Sequence, residues 1–136
     1  MMLRKPGRGT LPRAATFWIL ATLPEMMFFA SAAASPLYRV YQARFHFSAA
    51  TLTAVFAVYV LVLLATLLFF GSVSDYLGRL PVIMAALAFS VAACGIFLAA
   101  HDTAALYLAR SLQGIATGLA SGPTGAALID LQPPGS

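Results

Sequence analysis

The sequence predicts an all-α membrane protein of about four transmembrane helices, and three observations carry that prediction. Charge is scarce: 61% of the 136 residues are hydrophobic and 9% are charged. A soluble domain carries about 25% charged residues, so there are too few here to cover a surface that faces water. Apolar stretches of roughly 20 residues, the length that crosses the hydrocarbon of a bilayer, recur four times. Short polar turns separate them, and together they leave no room within these residues for a soluble domain.

The elements follow in order. Residues 1–13 form a basic leader broken by Pro6, Gly7, Gly9 and Pro12. The first span is expected over 14–35, because Pro36 disfavours helix at the residue before it. A basic leader, an apolar core and small residues at 30–32 also resemble a secretory signal. Pro24 and Glu25 interrupt that core, and the full stretch is long enough to span. Residues 36–49 are expected to be an interfacial loop, since Tyr38, Tyr41, Phe45 and Phe47 alternate with Arg39, Arg44 and His46. Amphipathic rings of this kind settle at headgroup depth. The second span is placed at 50–70, with a polar turn at 71–80. The third is placed at 81–100, a tight turn at 101–103, and the fourth span at 104–129, with a bend expected at Pro123. Residues 130–136 form a polar tail.

Charge sets the expected orientation. Short cytoplasmic loops are enriched in Lys and Arg. With the amino terminus inside, Arg4, Lys5, Arg8, Arg13 and Arg79 lie on the inner side, against Arg39 and Arg44 outside. A multi-pass protein of the plasma (inner) membrane with a cytoplasmic amino terminus is the expectation, and membrane lipid is its first partner.

The net charge of +4 does not point to nucleic acid, because half of the basic residues sit in the leader rather than in a folded patch. Cys94 is the single cysteine, so neither an intrachain disulfide nor a thiol metal site is expected. No nucleotide-binding glycine loop, metal-ligand cluster or nucleophile–base pair is present. An enzyme is not expected, and neither is a cofactor or a metal.

Two motifs and one lone charge carry the functional reading. Gly71, Asp75, Gly78 and Arg79 form G-x-x-x-D-x-x-G-R between the second and third spans. The glycines permit a sharp turn and close approach of helix ends. The carboxylate and guanidinium are placed to pair with each other or with a helix end. In the fourth span, Arg110, Gln113, Gly114 and Gly118 read R-x-x-Q-G-x-x-x-G. An Arg within a span costs about 2.5–3.5 kcal/mol on insertion scales, which calls for a partner or a watered cavity. Arg110, Gly114, Gly118 and Gly122 recur every fourth residue, so the glycines make a stripe suited to helix packing in lipid. Glu25 lies near the middle of the first span, where a carboxylate is suited to holding a proton or a cation.

The 71–81 stretch resembles the signature loop between helices 2 and 3 of major facilitator superfamily transporters. The resemblance makes Asp75 the gate carboxylate, Gly71 and Gly78 the close-approach glycines, and Arg79 the basic partner. Tyr76 and Leu80 stand where the family usually has basic residues, so the basic half of the loop is reduced. The fourth-span motif is similar to the family's helix 4 motif, which implies a coupling role for Arg110 with Gln113 beside it. The similarity extends from about residue 14 to 134, including Ser35-Pro36-Leu37-Tyr38 and Asp130-Leu131-Gln132-Pro133.

Members of that family have twelve helices in two halves, with the substrate between them. The resemblance therefore implies a fragment, helices 1–4 of a carrier of a small solute, coupled to protons and needing helices 5–12 to act. A complete four-helix exporter of the small multidrug type, dimeric and using Glu25, is the competing expectation. A non-transporting membrane scaffold is another.

The charge count is checked with reporter fusions at residues 45, 76, 102 and 134. Cytoplasmic reporters are expected to be active at 76 and 134 and silent at 45 and 102; activity at 45 or 102 reverses the orientation.

Overall fold

A computed structural model describes residues 12–131. The order is α1 (Arg13–Phe45), α2 (Ala49–Phe70), α3 (Val73–Leu77), α4 (Arg79–Leu98) and α5 (Thr103–Leu131). Regular structure among the described residues is entirely helical. Most of the basic leader, with Arg4, Lys5 and Arg8, lies outside the described residues, as does the tail beyond Leu131. Helices α1, α2 and α4 are each long and apolar enough to cross a membrane. Their apolar side chains point outward: Phe29, Leu61, Leu68 and Leu98 are all exposed on the bundle. This is an all-α membrane protein.

Helix α1 does not end where Pro36 was expected to stop it. It passes through Pro24 and Pro36 and runs on to Phe45, so residues 36–45 are helix and not loop. Proline removes one backbone donor, and the turns that follow offset that loss by packing. Tyr38, Tyr41 and Phe45 fall on one helical face. Tyr38 is buried, and the Tyr41 ring stacks on Phe45 with centroids 5.8 Å apart. The Tyr41 hydroxyl donates to the Phe97 carbonyl at the end of α4, at 2.5 Å. The connection shrinks to His46–Ser48. His46 turns the chain in a left-handed conformation, φ 53°, with its N–H donating to the Gln42 carbonyl. Ser48 then caps α2, its hydroxyl accepting from the Thr51 N–H at 3.2 Å.

The 71–80 segment holds the one-turn helix α3. A Cβ on Gly71 would collide with the Leu67 carbonyl. Gly78 has φ 90°, a conformation that side-chain-bearing residues rarely adopt, and it separates α3 from α4.

Helix α5 organises the bundle, packing against α1, α2 and α4. Asp102 starts it by accepting the Ala105 N–H at 2.8 Å. Its buried positions are mostly Ala, Gly and Thr, with Arg110 and Gln113 among them. This polarity keeps α5 off the set of helices that cross by composition alone. At 29 residues it is nonetheless long enough to span. Its hydroxyls satisfy themselves: Ser111, Thr117 and Ser121 each donate to the carbonyl four residues back, at 2.7–2.9 Å. A polar group so bonded avoids most of the cost of burial. The helix runs on past the buried Pro123.

Helix α2 approaches α5 backbone to backbone. A Cβ on Gly114 would lie 2.8 Å from the Tyr59 carbonyl oxygen, and one on Gly118 would lie 2.7 Å from the Thr66 Cβ. At Gly122 the nearest atom would be the Gly71 carbonyl oxygen, at 3.1 Å. Gly125, on the same helix, has open space around it. Gly118→Ala is therefore expected to lower stability in detergent by about 1–3 kcal/mol through overpacking. Gly125→Ala is expected to be neutral or stabilising by up to about 1 kcal/mol, from helix propensity. Thermal unfolding followed by circular dichroism separates the two.

Candidate transport site

Arg110 is the largest buried side chain and is 1% exposed. It does not snorkel towards the end of the bundle but turns inward onto α1. Its Nε donates to the Tyr38 hydroxyl. Its Nη1 donates to the Ser31 hydroxyl at 2.9 Å and contacts the Ser31 carbonyl at 3.3 Å. The same nitrogen reaches the Gln113 side-chain carbonyl, one turn along α5, at 2.9 Å. Four rings surround the guanidinium, those of Tyr38, Phe56, Tyr59 and Phe97, with centroids 4.9–5.8 Å from Cζ. Attraction to ring faces supplies part of the lost hydration of a cation.

Two features of this network matter chemically. Every acceptor is neutral, so the positive charge meets no carboxylate among the described residues. Nη2 is buried and has no partner there. The site therefore holds one uncompensated charge with one free donor edge.

Arg110 and Gln113 come together, as their spacing of one turn permits. Glu25 does not join them. It is exposed and makes no side-chain hydrogen bond or ion pair among the described residues. It precedes Ser31 by six residues, which turns it about a third of a revolution away on α1. Ser31 and Tyr38 are the partners of Arg110 that the sequence alone does not reveal. They are seven residues apart, two helical turns, and so share one α1 face. That signal was present in the sequence but was hidden by assigning Tyr38 to a loop. Cys94 is exposed and lines a cavity of about 210 Å³ between α1 and α4, with Gln113 on its wall.

The signature segment lies at the other end of the bundle. Asp75 is exposed on α3 and pairs with no described residue. Arg79 pairs instead with Asp130 at the end of α5, Nη2 to Oδ2 at 2.6 Å. Arg13 at the start of α1 reaches the Asp130 carbonyl at 3.5 Å. Two arginines thus meet the carboxyl-terminal end of α5, where the helix dipole favours cations. Both partners of the ion pair are about half exposed, 45% and 61%. Such a pair contributes little to stability, about 0–1 kcal/mol.

The sequence profile of the Major Facilitator Superfamily matches residues 18–136. The chain belongs to the major facilitator superfamily. No curated protein and no solved structure gives a significant match. Membership makes this a membrane transporter of the major facilitator type, a family of carriers. It also sets aside the small multidrug-type exporter, which is a different family. In this major facilitator chain the buried arginine of α5 is tied to α1 by a tyrosine and a serine.

Tyr38→Phe removes the acceptor of Arg110 Nε and leaves a buried donor unpaired. Loss of about 1–3 kcal/mol of stability is expected, measured as a lower unfolding midpoint in detergent. Tyr76→Phe, at an exposed site, is expected to leave the midpoint unchanged.

Proposed function

We propose that this chain is helices 1–4 of a proton-coupled secondary carrier for a small solute, acting together with helices 5–12. The observation that carries this reading is the buried, uncompensated guanidinium of Arg110 at the contact of α1 with α5. A charge is kept in such a place only where something else answers it. Solute supplies that answer, so the strength of the α1–α5 contact follows the state of loading. Gln113 holds one face of the guanidinium and orients it.

Glu25 is the proposed proton carrier. It lies on the outward surface of α1, which the remaining helices or lipid would cover. At the opposite end, Gly71, Asp75, Gly78 and Arg79 form the proposed gate. The Arg79–Asp130 pair fastens α4 to α5 there, and Asp75, which pairs with no described residue, is available to the other half of the carrier. The gate end faces the cytoplasm in this reading, with the amino terminus inside the plasma (inner) membrane.

The test uses the full gene product in pyranine-loaded proteoliposomes with an imposed pH gradient. Across a panel of small solutes, solute-evoked proton flux is expected for the wild type. It is expected to fall by about tenfold or more in Arg110→Gln, the effect of losing one charge-assisted contact. Glu25→Gln is expected to abolish proton flux. Solute flux that ignores the pH gradient overturns the coupling; absence of any solute flux overturns the carrier reading.

A further inference from the structure

Building on the carrier reading, we infer that the cavity between α1 and α2 is a carboxylate subsite, so the substrate is a small monocarboxylic acid with an apolar or aromatic body. The cavity holds about 330 Å³, with Arg110 on its wall. Pockets that take small ligands begin at about that volume. Ser31 and Ser35 of α1 and Tyr59 of α2 line it as polar groups, and Phe28 and Phe56 line it as apolar ones.

The charge balance selects the ligand. Arg carries five N–H donors and no acceptor. Nε and Nη1 are spent on Tyr38, Ser31 and Gln113, and Nη2 is left without a partner. The unmet need is for one negative charge and one oxygen on Nη2. A carboxylate supplies both. Its second oxygen has hydroxyls to meet, because Ser35 and Tyr59 lie on the same cavity and neither side chain is engaged in a recorded hydrogen bond among the described residues. A phosphate dianion would bring two charges to a site that offers one, within mostly apolar walls, where an unpaired charge is costly. A neutral solute would leave the guanidinium unanswered. The aromatic walls then accept the apolar body of the acid.

The same carboxylate chemistry has a second source, an acidic side chain from elsewhere in the full protein. The two are separated by binding. The full gene product is purified in detergent and titrated with radiolabelled benzoate at neutral pH. Saturable binding is expected, displaced by hexanoate and not by benzamide or inorganic phosphate. Arg110→Gln is expected to weaken it by about tenfold or more. Ser35→Phe, at an exposed position on the cavity mouth, leaves the Arg110 network intact. It is expected to abolish benzoate binding with helix content unchanged.

A wild type that does not bind benzoate overturns the inference, and is the result if an internal carboxylate already occupies Nη2. Equal binding by the wild type and Ser35→Phe also overturns it. Proton-coupled transport without benzoate binding removes the subsite and spares the carrier reading; benzoate binding without any transport does the reverse.

Discussion

A positive charge sealed inside an apolar bundle is the constraint that the rest of this structure answers. Taking an Arg side chain out of water is costly unless partners answer it. Hydrogen bonds to charged groups return about 1.5–3 kcal/mol each. Tyr38, Ser31 and Gln113 accept from Arg110, and four ring faces surround it. Among the described residues one nitrogen and the positive charge itself are left without a partner.

The position of α5 follows from the same demand. A helix that carries Arg110, Gln113 and several hydroxyls cannot face lipid on all sides, so α1, α2 and α4 cover it. Small residues let that cover approach closely. Gly114 and Gly118 bring the α2 backbone to within contact of α5, where Tyr59 also enters the set of rings around Arg110. Close packing of α2 and the burial of the guanidinium are thus one arrangement, set by the stripe of glycines below the arginine.

The two ends of the bundle are built differently. At the end where α1 gives way to α2, aromatic packing and the Tyr41–Phe97 bond tie α1 to α4. At the other end, an exposed ion pair and a long arginine–carbonyl contact join α1, α4 and α5. Buried rings resist separation, while a solvated ion pair separates cheaply.

The fold class was legible in the residues themselves. Low charge and 20-residue apolar stretches state the solvent before any contact is known, because lipid acts on every outward side chain independently. The glycine spacing and the two motifs were legible for the same reason, since periodicity along one helix is local. What only the tertiary structure decided were meetings across the chain: Arg110 with Tyr38 and Ser31, more than 70 residues away, and Arg79 with Asp130 rather than Asp75. The extension of α1 through Pro36 belongs with these. Proline states a local preference against helix, and the packing of Tyr38 and Tyr41 against α4 and α5 outweighs it. Such partners depend on how helices cross, and crossing is set by all their surfaces together rather than by any single stretch of sequence.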